Sequence, residues 1–230
     1  MAVKRGPYDS DLQRQRRSQI LLNTRELLES EGIEGISMAR IAKMSSVSTK
    51  TLYNIFVNRE GLLLQAAANR LDELVGSASI QTATPGIPRL LAITELAMLP
   101  FRDNPDFMKT VVAIVVAANE NTPGAGERVG RVQMLAYDAL VVARENDELK
   151  SGVDLQELSL IIAANQWGVA LMWQQNMISL EQLIRQSNLN HVITLIPFCT
   201  DGRKQWLEKR MDMFHPAITP VSNQPIRLLS

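Results

Sequence analysis

With 230 residues, 46% of them hydrophobic and 21% charged, the chain has the composition of a soluble globular protein, long enough for one large domain or two unequal ones. A formal net charge of zero excludes a uniformly basic surface. The single cysteine, Cys199, excludes an internal disulfide and fits a reducing, cytoplasmic setting. Lys4 and Arg5 precede no apolar run, so no secretory signal is expected. The longest apolar stretch, 110–118, is far short of the ~20 residues a membrane helix needs.

Residues 1–16 are polar and charged around Gly6-Pro7 and are expected to form a mobile basic arm. Apolar residues then recur at spacings of three and four, and no period-two alternation is sustained, so the whole chain reads as helical. A first helix is predicted over 12–31, with Ile20, Thr24, Leu27 and Leu28 on one face. Gly32 is placed to end it in a left-handed cap, with Ile33 folding back on the last turn. Ser37 can cap a short helix over 38–43, and Ser48 another over 49–56. A fourth helix runs from Arg59 to Ser77. The Pro- and Gly-containing run 81–88 reads as a linker. Helices follow near 88–99, 104–119, 127–149 and 154–178, with TPGAG (122–126) breaking the second from the third. Ser179 and Gln182 form a capping-box pattern that opens a helix to about 187. A last helical region spans 189–213, broken near Pro197 or Asp201-Gly202, before an irregular tail over 215–230.

Residues 37–63 are too polar for a core helix and too regularly apolar for a loop. Ile41, Ala42, Val47, Leu52 and Ile55 have the spacing that two short helices crossing at a steep angle require. What remains on the second of them is Thr49, Lys50, Tyr53 and Asn54, one contiguous outward face. An amide can pair with adenine, an ammonium can reach guanine or phosphate, and hydroxyls suit phosphate oxygens. The charge distribution agrees. Residues 1–60 carry ten basic and seven acidic side chains, an excess of +3 that leaves −3 for the remainder.

The string from Ile20 through Gly32 to Leu63 resembles the N-terminal domain of the TetR (tetracycline-repressor-like) family of transcriptional regulators. The resemblance rests on Ser37, Ile41-Ala42, Val47-Ser48, Thr51-Leu52-Tyr53, Phe56, Arg59-Glu60 and Leu62. It implies an all-α protein with an N-terminal three-helix helix-turn-helix domain (1–60) and a larger helical ligand-binding and dimerisation domain (61–214). It further implies double-stranded DNA as partner, a homodimer, a small-molecule effector, and no metal or cofactor. Carried over residue by residue, Thr51, Tyr53, Arg59 and the Ser37 end of its helix are expected at phosphates, Thr49, Lys50 and Asn54 in the groove, and Ser48 among the DNA-binding residues. The chain departs from the family's pattern at Ser45-Ser46, where Ala-Gly is usual, at Ile55, where His is usual, and at Arg59, where Lys is usual. Glycine suits a backbone position at positive φ, so Ser46 is a candidate for strain.

Leu158, Ile162, Asn165, Val169 and Met172 step by three and four along 154–178 and are expected to form the dimer seam, with Ala164 and Gly168 permitting close approach. Met98, Trp167 and Tyr137, with polar Asn119 and Gln133, are expected to line a ligand pocket. His191 and Cys199 are the sole candidates for a catalytic pair, and the sequence has no metal-ligand spacing, phosphate loop or nucleophile elbow, so an enzyme is not expected. The competing reading is an all-helical protein-binding scaffold with a degenerate helix-turn-helix.

Overall fold

The computed structural model describes residues 7–117 and 125–214. Its helices are α1 (Pro7–Glu31), α2 (Met38–Met44), α3 (Thr49–Phe56), α4 (Arg59–Val75), α5 (Ala78–Thr82), α6 (Ile87–Ala97), α7 (Leu99–Asp103), α8 (Pro105–Val116), α9 (Ala125–Glu145), α10 (Leu155–Gln174), α11 (Leu180–Leu195) and α12 (Asp201–Phe214). The sole β pairing among the described residues is an isolated bridge between Leu149 and Cys199, so the fold is all-α as expected. No described helix is long and apolar enough to cross a membrane.

Several boundaries differ from the sequence expectation, each for a local reason. α1 begins at Pro7, so 7–16 is helix rather than arm; proline suits a first helical position because its missing N–H has no partner there. The 88–99 helix stops at Ala97, and Pro100 opens α7 in its first turn. The helix opened by Ser179 does not stop near 187. Asn188 donates to the Ile184 carbonyl from a buried position, and the helix continues to Leu195, where Pro197 ends it. The Ser179–Gln182 capping box is present on both sides. The expected break at 122–126 lies mostly outside the described residues.

Two apolar clusters hold these helices. The first joins α1–α4 to α7, α8 and the C-terminal half of α10, where Phe101 meets the edge of Trp173 at 5.4 Å between ring centroids. The second joins α6, α9, the N-terminal half of α10, the end of α11 and Leu207. Leu158, Ile162 and Val169 are 2%, 1% and 7% exposed. The stripe expected to face a second copy is therefore interior to this chain. The helix period identified an apolar face correctly, but that face meets α9 and α11. Asn165 also turns inward and donates to the Thr194 hydroxyl. Of the five expected residues only Met172 is exposed.

The second cluster is closed by a buried carboxylate. Glu148 Oε2 accepts the Ile87 backbone N–H at 3.0 Å, and Oε1 pairs with Arg203 at 3.0 Å. This one side chain ties the loop after α9 to the start of α6 and to α12. Gly86 sits at φ +94°, and a Cβ there would stand 2.6 Å from Glu148 Oε1, so glycine is required for both conformation and approach. Removing one partner of a buried ion pair leaves the other uncompensated. Arg203→Ala, which leaves the more buried Glu148 carboxylate without its cation, is therefore expected to lower unfolding free energy by about 3–5 kcal/mol in urea titration, and Glu148→Ala, which leaves the Ile87 N–H and the Arg203 guanidinium without their acceptor, by a similar amount.

Candidate nucleic-acid interface and interior cavity

The turn between α2 and α3 is built around Ser46 at φ +52°. Val47 N–H donates to the Ala42 carbonyl and Ser46 N–H to the Lys43 carbonyl, the paired bonds of a Schellman ending. The residue before it supplies a tie that the sequence reading missed. Asn23, buried on α1, donates to Ser45 Oγ at 2.9 Å and accepts from Gln19 at 2.9 Å. Ser45 thus anchors the turn to α1, which alanine could not do. The signal was present in the sequence: Asn23 is a polar residue three after Ile20 and four before Leu27, on the core face of α1.

Beyond the turn, the Ser48 side chain accepts the Thr51 N–H and shares a 2.8 Å hydrogen bond with the Thr51 hydroxyl. Ser37 caps α2 by accepting from Arg40 N–H. Leu52 and Phe56 are buried, and Thr49, Lys50, Tyr53 and Asn54 are exposed on one side of α3. α3 ends in a γ-turn: Val57 stands at φ +66°, ψ −57°, and Asn58 N–H donates to the Phe56 carbonyl at 2.7 Å. Asn58 then caps α4 through Gly61 N–H. This strained corner fixes the angle between α3 and α4. Arg59 turns inward. Its Nε donates to the Ile36 carbonyl and its Nη2 to the Ile33 carbonyl, so it braces the α1–α2 connection rather than projecting toward a phosphate as expected.

A cleft of about 740 Å³ runs between α1 and α3, lined by Gln13, Arg14, Arg16 and Arg17 on one side and by Thr51, Asn54 and Ile55 on the other. Arg17 donates to Gln65 and stacks over Phe56. Arg14 pairs with Asp11. Arg16, Lys43 and Lys50 make no ion pair within this chain among the described residues. The helical start of α1 therefore carries its arginines alongside the polar face of α3, which concentrates positive charge around it.

The C-terminal half encloses a cavity of about 80 Å³ between α4, α6, α9, α10 and α11. Met98 and Trp167 line it as expected. Gln133 does not; it lines an open groove on the outside of α9 and α10. Tyr137 packs on the second apolar cluster, and Asn119 lies outside the described residues. The polar groups on the cavity wall are Thr94, Gln166, Trp167 and His191, three of which were not anticipated. Thr94 Oγ1 is 3.0 Å from His191 Nδ1. Burial pushes the His191 ring down to a pKa of about 4, against the opposing influence of the Ile162 backbone. Burial, reinforced by the Glu148 carboxylate and opposed by Arg203 and Lys150, raises the Cys199 thiol to about 11, so it stays protonated at neutral pH and is no nucleophile. No cluster of metal-ligating side chains occurs among the described residues.

Residues 20–66 match the sequence profile of the bacterial regulatory proteins, tetR family. Over 126 residues the chain is 27% identical to the HTH-type transcriptional repressor KstR of Mycolicibacterium smegmatis, which covers 54% of this chain and 61% of that protein. The match thus spans less than two thirds of that relative. The fold is shared with SmeT, the repressor of the Stenotrophomonas maltophilia multidrug efflux pump SmeDEF (TM-score 0.56, 17% identity, 81% of this chain and 92% of that one). It is also shared with Thermus thermophilus FadR, a TetR-family repressor solved with lauroyl-CoA (TM-score 0.57, 18% identity, 74% and 90%).

The neutral His191 ring gives a pH signature. Its folded pKa of about 4 lies below the ordinary histidine value of 6.5, so the unfolded chain binds the extra proton between those values. The stability that comes from keeping the ring neutral is present above about pH 6.5 and is lost as pH falls toward 4. Denaturant titrations are expected to show a loss on the order of 3 kcal/mol across that window from this group. His191→Gln should remove that part of the slope whatever its effect at pH 7.

Proposed function

We propose that the chain, whose residues 20–66 match the profile of the tetR family of bacterial regulatory proteins, is a dimeric repressor released from a palindromic operator by a small, mostly apolar ligand. The observation that carries the DNA-binding part is the exposed face of α3, bearing Thr49, Lys50, Tyr53 and Asn54 beside the arginines of α1. On a duplex, Lys50 and Asn54 read base edges, with Thr49 beside them. Tyr53, together with the Ser48–Thr51 pair and Ser37 at the helix starts, holds phosphate oxygens. Arg16 and its neighbours on α1 supply charge at the flanking backbone, and Arg59 acts from behind by holding α4 against the α1–α2 connection.

One helix serves both halves of the proposed switch. α4 starts at the γ-turn after α3, and Ala67 and Leu71 on its later turns line the interior cavity. The distance from Arg59 to Leu71 is about 18 Å along the helix axis. A ligand that widens the cavity displaces α4, and with it the orientation of α3. Such a ligand lowers operator affinity only by preferring the displaced arrangement.

The outer face of α10 supports the dimer. Leu160, Ile161 and Met172 are 49%, 37% and 40% exposed. Gly168 lies between them, and a Cβ built there meets nothing within 4 Å, so nothing in this chain explains its size. A second copy crossing closely at Ala164 and Gly168 would cover this apolar strip.

On a selected operator, Asn54→Ala and Lys50→Ala are each expected to cost about 1–3 kcal/mol of binding and to relax base preference. Arg16→Ala should weaken all sequences alike and reduce the salt slope by about one. Wild-type binding by all three variants across salt concentrations rules this face out as the DNA contact. For the dimer, sedimentation velocity at micromolar concentration is expected to give two copies for the wild type and one for Gly168→Glu, with unchanged helical content; a wild-type monomer removes the dimer from the reading.

A further inference from the structure

The head of the molecule, α1–α3, is joined to the body through α4, and also at a second place that α4 does not supply. Asn104 stands at the corner between α7 and α8. Its Oδ1 accepts the Phe107 N–H at 3.2 Å and so caps α8. Its Nδ2 donates to the Leu28 carbonyl, in the last turn of α1, at 3.1 Å. That carbonyl also accepts the Gly32 N–H at 3.0 Å, so both of its lone pairs are used. The Asn104 backbone is held on both sides: its N–H donates to the Pro100 carbonyl, and its carbonyl accepts the Met108 N–H. Phe101 and Phe107, on either side of it in the chain, are buried in the first apolar cluster. A cleft of about 190 Å³ opens here between α1, α4 and the α7–α8 corner. Leu28 and Asn104 are both on its wall, so the amide joins α1 to the corner at a place where packing is incomplete.

The two helix ends that meet at this side chain have opposite needs. The carbonyls at the end of α1 want a donor, and the first N–H groups of α8 want an acceptor. Ser, Thr and Asp also cap helices, but among these residues Asn alone presents an NH2 group beside its oxygen. We propose that Asn104 is a positioning residue for the DNA-binding head. One of its atoms caps α8, and the other holds α1 at one attitude to the body. α2 follows α1 through the Asn23–Ser45 hydrogen bond, and α3 follows the turn. The proposal rests on the reading of the chain as a dimer that meets DNA through α3. In such a dimer, a head held at one attitude sets one separation of the two α3 helices and favours one half-site spacing. To reach another spacing the head must turn, and turning it breaks the Asn104–Leu28 bond. The bond therefore acts on the spacing of the operator and not on the bases within a half-site.

The test uses Asn104→Ser and Asn104→Asp in the full chain, since both leave an oxygen to cap α8. Serine is too short to reach Leu28 as well, and aspartate sets a carboxylate against the negative end of α1. Amide exchange at Phe107 reports the cap. Residual dipolar couplings of the backbone N–H groups report whether α1–α3 share the alignment of α8–α10. The wild type is expected to fit one alignment throughout. Both variants should keep Phe107 protected while the couplings of α1–α3 fall below those that the body's alignment gives. Binding is then compared between a selected operator and the same duplex with one base pair inserted between its half-sites. The preference for the selected spacing should fall about fivefold in the variants, the worth of one net hydrogen bond. A variant that was merely less stable would bind both duplexes more weakly by the same factor and leave that ratio unchanged. An unchanged ratio, wild-type alignment of α1–α3 in both variants, or a wild type whose α1–α3 do not share the body's alignment overturns the proposal. If one variant fails to fold or loses Phe107 protection, the other carries the comparison; loss of that protection in both overturns the proposal too. Failure of the underlying reading looks different: no duplex is selected, or only a single half-site, and the couplings alone then decide whether Asn104 holds α1.

Discussion

Everything in this molecule is referred to the length of α4. Its first turn is fixed by the γ-turn at Val57, the Asn58 cap and the Arg59 guanidinium on the Ile33 and Ile36 carbonyls. Its middle buries Leu62, Leu63 and Leu64, and its later turns carry Ala67 and Leu71 to the cavity. The helix is thus packed along its whole length. Its two ends are thereby tied, one to the end of α3 and the other to the cavity wall.

The helix-turn-helix gains its precision from local strain that is met elsewhere. Ser46 and Val57 both stand at positive φ, one at each end of α3. Neither is glycine, and each conformation costs of order 1 kcal/mol or more. Ser46 is held by the Schellman bonds and by the Asn23–Ser45 hydrogen bond beside it. Val57 is held between the end of α3 and the cap of α4. Ser45 is thus held by a partner on α1, and Lys50 and Asn54 beyond the turn are exposed to solvent.

The C-terminal half holds buried polar groups in two ways. Glu148 is buried with its partners in place, Ile87 N–H and Arg203, and its role is to hold α6, α9 and α12 together. His191 is buried at the wall of a cavity, against Thr94 and the Ile162 backbone, and is kept neutral there. The first pattern belongs to a fixed joint.

The sequence by itself determined what depends on neighbours along the chain: the all-helical class, the Ser37, Ser48 and Ser179 caps, and the outward set Thr49, Lys50, Tyr53 and Asn54. Each follows from the helix period or from a side chain reaching its own backbone a few residues away. Only the tertiary structure decided which partner meets each face. An apolar stripe has the same spacing whether it meets a second copy or the same chain, and Leu158, Ile162 and Val169 turned out to meet the same chain. A cation has the same formula whether it meets phosphate or carbonyl, and Arg59 meets carbonyls contributed from 23 and 26 residues away. The cavity's polar wall was illegible for the same reason, since Thr94 and His191 are 97 residues apart and acquire a relation only when α6 and α11 pack together.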